Sequence, residues 1–245
     1  MGTISLEHGD RLYWLGRYTE RVFTTLKSLE RLYDKLIDRD PKHYIKYLDC
    51  FGLTDNFGDP KKFLHSFIFS KDNSYSAAFS LDRAYDNGIE LREEISTEAL
   101  AYLQLAMDRL EKADNPNKGL VVSLLPVIDT LFSFWGCIYD YVYDEEIKNI
   151  ILCGKSVERL ELYVRLKYRK ELIDLEFDRL CKNLAKIPKN TPYRYNTKQL
   201  SILVEIIESD KGCAGYESEV LTALGRLFEP VNQTHTAGKI GGKSA

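Results

Sequence analysis

The sequence predicts an all-α fold, and three observations support this prediction. Six of the seven prolines lie between stretches of helical periodicity: Pro41, Pro60, Pro116, Pro188, Pro192 and Pro230. Apolar residues recur at three- and four-residue steps, which is the period of one helical face. No segment alternates apolar and polar residues as a half-buried strand does. We therefore expect an elongated bundle of about seven to nine helices.

A long helix is predicted over Ser5 to about Asp38. Its apolar face consists of Leu12, Leu15, Val22, Leu26, Leu29, Leu32 and Leu36. At about 1.5 Å per residue, this helix would extend on the order of 50 Å. Shorter helices are predicted over Pro41–Cys50 and Pro60–Phe69, followed by a polar loop at 70–73.

Two helices are predicted in the centre of the chain. Ser74 is expected to cap the first, which covers Tyr75–Glu94. The segment Ser96–Ala99 offers hydroxyl caps and an early acid, which favours the start of a second helix that continues to Lys112. Asn115-Pro116-Asn117 should end this helix.

The most apolar predicted helix covers Leu120–Tyr143, and Pro126 is expected to kink it because proline removes a backbone hydrogen bond. Asp129 interrupts its apolar run, so we expect a core helix and no membrane span. The N-terminal residues carry charges where a signal peptide needs an apolar run, so we expect no signal peptide. The five cysteines suggest no disulfide framework, which predicts a reducing, cytoplasmic location. The aromatic residues at 132–143 cover more than one face, so a homo-oligomer interface is possible there.

A single long, charged helix is predicted over Asp144–Lys186, and two short helices are predicted over 197–209 and 217–228. The segment Val231–Ala245 lacks aromatic and acidic residues and contains three glycines, which is typical of a mobile tail. We therefore predict one domain over 1–230 and a flexible tail over 231–245.

Composition excludes several classes of function. The chain has 34 Lys+Arg and 37 Asp+Glu, and a net charge of -3 argues against nucleic-acid binding. The five cysteines contain no C-x-x-C pair, and the four histidines lack an H-E-x-x-H motif, so no disulfide framework or metal site is expected. Pairs of D-x-x-x-D acids fit solvated helix faces better than a Mg-diphosphate site. No glycine-rich loop follows a strand, so we expect no ATP binding by this chain alone.

A short pattern occurs twice, in Gly16–Val22 and Gly154–Leu160. Both copies read glycine, cation, two variable residues, Glu-Arg and an aliphatic residue, and they lie 138 positions apart. Glycine inside a helix costs about 1 kcal/mol relative to alanine, which indicates close approach of another backbone. Residues three and four apart share a helical face, so each copy forms one charged cluster. We expect the two clusters to pack together by pseudo-twofold symmetry into a charged centre.

Three blocks of sequence resemble the alpha-E domain family, a helical family named for its Glu-Arg motif. The blocks are Leu12–Arg21, the polar pattern between Asp72 and Glu98, and Gly154–Arg165. Together they span about residues 5 to 170. The chain departs from the family pattern at Lys155, where members commonly have arginine.

The resemblance implies a role beside a ligase. Alpha-E proteins are typically encoded next to, or fused to, circularly permuted ATP-grasp ligases in systems that build or modify peptides through amide bonds. The expected partners are therefore an ATP-grasp ligase and a peptide substrate, with ATP and Mg held by the ligase and no cofactor held by this chain. The helical domain itself is a catalytic component, a substrate holder or a docking platform.

The charged clusters have a structural and a functional interpretation. A buried arginine needs a carboxylate partner, which favours structural ion pairs. Guanidinium groups also bind carboxylates and phosphates, so the cations are expected to converge on such a group, with Glu20 and Glu158 orienting them or acting as catalytic bases. The ligand-binding candidates are Arg17, Arg21, Arg83, Asn87, Arg92, Lys155 and Arg159.

Three functions remain open from the sequence: a component of a peptide-modifying system, a non-catalytic scaffold whose Glu-Arg clusters are structural, and a stand-alone enzyme that acts on an anionic substrate.

Overall fold

A computed structural model describes residues 4–38, 40–115, 118–189 and 191–228. These residues form ten α-helices and no strand, so the fold is all-α as predicted, with one helix beyond the expected range. The helices are α1 (Leu6–Asp38), α2 (His43–Cys50), α3 (Pro60–Phe69), α4 (Ala77–Glu90), α5 (Thr97–Ala113), α6 (Leu120–Tyr141), α7 (Glu145–Arg165), α8 (Lys170–Leu184), α9 (Thr197–Ile207) and α10 (Glu217–Gly225). The predicted tail at 231–245 lies outside the described residues.

Helices α1 and α7 form the centre of the fold and run side by side in the same direction. A Cβ atom on Gly16 would overlap the carbonyl oxygen of Ile151, and one on Gly154 would overlap the carbonyl oxygen of Tyr13. The two contacts are equivalent under the 138-residue repeat, because Gly154 is the counterpart of Gly16 and Ile151 is the counterpart of Tyr13. The predicted helix crossing at the two glycines and its pseudo-twofold relation are therefore confirmed.

The other helices surround this central pair. Helix α4 packs against α1, α5 lies against both α4 and α6, and α6 also reaches α1. Helix α8 packs against α7, α9 and α10 pack against each other, and α2 and α3 contact α1. One continuous hydrophobic core extends in sequence from Leu12 to Phe228, and it includes residues of all ten helices.

Hydroxyl or carboxylate caps begin α3, α4 and α5. Asp59 accepts a hydrogen bond from the Lys61 amide at the start of α3, where Pro60 occupies the first turn. Ser96 caps α5 as predicted. The prediction for α4 was wrong at both ends, because Ser76 and not Ser74 is its cap, and the helix ends at Glu90 instead of Glu94. The Ser76 hydroxyl is buried and also donates to the Ser70 carbonyl, which ties the cap to the preceding loop.

The predicted single helix over Asp144–Lys186 is two helices. Asp144 caps α7 by accepting from two backbone amides, but α7 ends at Arg165. Lys167 has a φ of 51°, in the left-handed region, and the Tyr168 amide donates to the Tyr163 carbonyl five residues earlier. This left-handed C-terminal turn usually uses glycine, and no glycine or proline marks the break here. The turn folds α8 back along α7.

Helix α6 continues through Pro126, and it contributes Leu124 and Phe134 to the fully buried core. By length and composition it is the one helix of the described chain that is apolar enough to span a membrane, and half of its most apolar window is buried. A core helix meets the same criterion. It also exposes Val122, Leu125, Phe132 and Tyr139. The Phe132 ring contacts Phe23 of α1, with ring centroids 5.1 Å apart.

The glycine crossing yields a stability prediction. Gly16→Ala and Gly154→Ala should each lower the free energy of unfolding by about 3 kcal/mol, because the added methyl group overlaps a backbone carbonyl that cannot move independently. Gly136→Ala is the matched control, since nothing lies within 4 Å of its Cβ position on α6. The control should stabilise the protein by about 0.5 kcal/mol or more. Urea unfolding measures all three, and equal effects would disprove the close crossing.

Candidate functional site

The two Glu-Arg dipeptides pair with each other across the helix crossing. Arg21 donates from Nε to Oε1 of Glu158 at 2.6 Å and from Nη2 to Oε2 at 2.8 Å. Arg159 donates from Nε and Nη2 to Oε1 of Glu20 at 2.8 and 2.6 Å. Each arginine thus binds the glutamate of the other helix. The predicted charged centre is present, and its two halves obey the same pseudo-twofold relation as the glycines.

Two further glutamates complete the centre, and the sequence analysis missed both. Arg17 binds Glu158 and also Glu161, each at 2.8 Å. Arg159 lies 3.4 Å from Glu176 of α8, which also accepts from Arg179 at 2.9 Å. Glu161 was detectable one turn after Glu158. Glu176 had no signal, because the turn at Lys167 that brings α8 onto α7 was not predicted.

Lys155 is the exception to the symmetry. It is the counterpart of Arg17, but no carboxylate in the described part of the chain lies within 4 Å of its ammonium group. Its Nζ instead lies 3.9 Å from the centroid of the Trp135 ring. The physical reason is in α1, where Phe23 occupies the position that corresponds to Glu161.

Burial and charge pairing give the carboxyl groups different protonation behaviour. Burial acts to raise the pKa of Glu158, but the charges and hydrogen bonds of Arg21 and Arg17 outweigh it and lower this pKa to about 2. Burial raises the pKa of Glu20 despite the nearby Arg159. Burial also raises the pKa of Glu161. Glu158 is therefore held as an anion.

Glu20 and Glu158, the two candidate catalytic bases, have different environments. Glu20 is 0% exposed, and its Oε2 has no hydrogen-bond partner in the described residues. Glu158 is held ionised by two arginines, so it orients them. Glu161 lines a cavity, and burial raises its pKa.

A cavity of about 350 Å³ adjoins the Arg21–Glu158 pair, and we call it the aromatic pocket. Seven aromatic side chains line it: Trp14, Tyr18, Tyr47, Phe51, Phe67, Tyr75 and Phe79. Helices α1 and α7 form its charged floor, and the loop before α4 contributes Ser74 and Tyr75. Part of the polar central block of the sequence therefore meets the Glu-Arg motif at this pocket.

Arg165 is the cation of the aromatic pocket that lacks an ion pair. Within the described residues, no carboxylate lies within 4 Å of its guanidinium group, whose central carbon is 5.6 Å from the Phe51 ring centroid. Glu158 and Glu161 are already bound by Arg17 and Arg21. Arg17, Arg21 and Arg165 together carry one positive charge more than Glu158 and Glu161 can compensate.

The remaining predicted site residues lie apart from this centre. Arg83 and Asn87 line an open groove of about 490 Å³, which shares Trp14 and Tyr18 with the aromatic pocket. Arg83 lies 3.4 Å from Asp86 and does not reach the charged centre. Arg92 is exposed beside Glu93, so the expected convergence of Arg83 or Arg92 with the other arginines does not occur. No group of three or more His, Cys, Asp or Glu side chains within the described ranges could hold a metal ion.

A family model named Alpha-E, described as a predicted alpha-helical domain with a conserved ER motif, matches residues 8–210. The chain belongs to the Alpha-E family. This match confirms the resemblance inferred from the three sequence blocks, and both Glu-Arg dipeptides fall within the matched segment. No curated protein and no solved structure shows significant similarity to the chain. In this Alpha-E protein, the ER motif forms the ion pairs between α1 and α7.

The buried ion pair predicts the effect of removing one partner. Arg21→Met should destabilise the protein by about 3 kcal/mol, because the buried Glu158 carboxylate loses the arginine that binds both of its oxygen atoms. Arg11→Met, on the exposed part of the same helix, should change stability by less than about 0.5 kcal/mol. Urea unfolding measures both. A loss from Arg21→Met no larger than that of the control would show that the pair has no structural role.

Acid sensitivity provides a second prediction. The folded-state pKa of Glu158 lies below its ordinary value of 4.5, so its stabilisation is complete above about pH 4.5 and is lost as the pH falls toward 2. Stability should therefore fall by on the order of 2 to 3 kcal/mol in this window. Glu158→Gln should remove that pH-dependent loss, whereas Glu93→Gln, an exposed control, should retain it. Identical slopes of unfolding free energy against pH in the two variants would contradict the assignment.

Proposed function

We propose that this chain is the peptide-binding helical component of an amide-bond-forming system, and that it presents a peptide carboxylate to an ATP-grasp ligase. The observation that carries the proposal is the aromatic pocket, which combines an unpaired arginine with aromatic walls beside the Arg21–Glu158 pair. The ligase partnership rests on what the Alpha-E resemblance implies, and the ligand class rests on the pocket.

The charge balance of the pocket favours a ligand with one negative charge. Glu158 and Glu161 compensate two of the three arginines, and Arg165 remains. A guanidinium group binds a carboxylate through two parallel hydrogen bonds. The free carboxyl end of a peptide supplies one such group. It is also the group that an ATP-dependent ligase must activate before an amide bond can form.

The walls favour an aromatic or large apolar side chain next to that carboxylate. The Phe51 and Tyr75 rings are 6.0 Å apart between centroids in an edge-to-face arrangement, and Phe67 and Tyr75 are 6.4 Å apart. A ligand ring could contact these walls in an offset-stacked or edge-to-face arrangement, and both arrangements are favourable. A cavity of about 350 Å³ lies at the lower end of the range for ligand pockets, which suits one terminal residue.

The charged centre supports binding rather than proton transfer. Glu20 is inaccessible to solvent, and Glu158 is held ionised by arginines on both sides. The pair with Glu158 sets the position of Arg21, which faces the pocket. We therefore assign activation of the carboxylate to the ligase, together with its ATP and Mg, and assign positioning of the peptide to this chain.

Calorimetric titration with a short peptide that ends in phenylalanine tests the ligand. The free-acid peptide should bind at least about tenfold more tightly than the same peptide with an amidated C-terminus, because only the acid pairs with Arg165. Arg165→Met should weaken binding of the acid to the level of the amide. Arg169→Met, an exposed arginine beyond the end of α7, should leave binding unchanged. Equal affinity for acid and amide peptides would disprove carboxylate recognition.

Co-purification and turnover test the partnership. The neighbouring ATP-grasp ligase should co-purify with this chain, and its peptide-dependent consumption of ATP should disappear when the chain is omitted. Adding the Arg165→Met variant should restore much less activity than adding Arg169→Met. A ligase that turns over normally without the chain would eliminate the proposal. Full restoration by Arg165→Met would favour a non-catalytic scaffold.

A further inference from the structure

A second cavity, of about 620 Å³, lies along α7 and α8 at the other half of the charged centre, and we call it the cationic cavity. Six cationic side chains line it: Lys148, Lys155, Arg159, Arg179, Lys182 and Lys186. Two carboxylates, Glu145 and Glu176, also line it. The excess of four positive charges contrasts with a net charge of -3 for the whole chain. Cations are therefore concentrated at this place.

The two acids do not neutralise the deep cations. Glu176 is shared between Arg159 and Arg179, and Glu145 binds Lys148 at 2.6 Å. Glu20 binds Arg159 from the interior side. Lys155 keeps no carboxylate within 4 Å in the part of the chain that the structure describes. A charge that is partly buried and unpaired is costly unless an anion joins it.

The pKa of Lys155 also reflects its burial among other cations. Burial lowers the pKa of Lys155 to about 8, and the positive charges of Arg159 and Arg179 act in the same direction, while Glu20 and Glu176 oppose them. Its pseudo-twofold counterpart, Arg17, is bound by two glutamates. One side of the charged centre is thus internally compensated, whereas the side that faces the cationic cavity is not.

An unpartnered acceptor also lies at the cavity. Asn149 is buried, and its amide nitrogen donates to the Glu145 carbonyl at 2.6 Å. Its Oδ1 has no hydrogen-bond partner among the described residues. A buried acceptor of this kind costs free energy until a donor reaches it.

We propose that the cationic cavity binds a small phosphorylated molecule with two or more negative charges, held by Lys155 and Arg159 and flanked by Lys182 and Lys186. A single carboxylate would leave most of the excess charge uncompensated. A phosphate group offers several oxygen atoms to a guanidinium fork and an ammonium group at once. A volume of about 620 Å³ admits a small molecule and excludes a nucleic-acid duplex. The site is separate from the aromatic pocket, so the inference goes beyond the proposed function.

Isothermal titration of the full chain with pyrophosphate in 150 mM KCl tests the inference. The wild-type protein should bind pyrophosphate, and acetate should bind far more weakly. Lys155→Met should weaken pyrophosphate binding by at least about tenfold. The double variant Lys182→Gln/Lys186→Gln should also weaken it, and because both lysines are exposed, this variant should keep the fold. Lys112→Gln, an exposed lysine on α5, is the matched control and should bind as the wild type does.

Three outcomes would overturn the inference: no binding of pyrophosphate, acetate binding as tight as pyrophosphate binding, or the same loss in Lys112→Gln as in the cavity variants. The test is independent of the peptide proposal. Arg165→Met should bind pyrophosphate normally, and Lys155→Met should bind the free-acid peptide normally.

Discussion

The two reciprocal ion pairs between α1 and α7 are the interaction on which the rest of the structure depends. Arg21 binds Glu158 and Arg159 binds Glu20, so each helix carries charges that only the other helix can compensate. A buried charge without its partner is far more costly than an exposed one, which ties the two helices to one register. Gly16 and Gly154 make that register possible, because any side chain at either position would overlap the facing backbone.

The two halves of this centre are alike in geometry and different in electrostatics. On one side, Glu158 and Glu161 compensate Arg17 and Arg21 beneath the aromatic pocket. On the other side, the position of Glu161 is taken by Phe23, and Lys155 is left over the Trp135 ring. A symmetric frame thus supports two unlike cavities. One is nearly neutral and aromatic, and the other is strongly cationic.

This arrangement gives the conserved motif a structural role. The family is defined by an ER motif in a helical domain, and here that motif consists of buried structural pairs. The side chains with free capacity are their neighbours, Arg165 and Lys155, which lack carboxylate partners within the described residues. The motif itself holds the helices in register, and under our proposals ligand recognition belongs to these neighbouring residues.

Local sequence determined most of the helices, the cap at Ser96 and the Gly-x-x-x-Glu-Arg crossing, because periodicity, capping and the need for a small residue act over a few positions. It also indicated that the Glu-Arg segments meet. The tertiary structure alone decided which acid each arginine binds, since a helical face does not specify its partner. It also decided the turn at Lys167, where a lysine adopts a left-handed conformation without a glycine signal. That turn places Glu176 and Lys182 of α8 at the cavity that Arg159 lines, because the packing of α8 on α7 depends on contacts between residues distant in sequence.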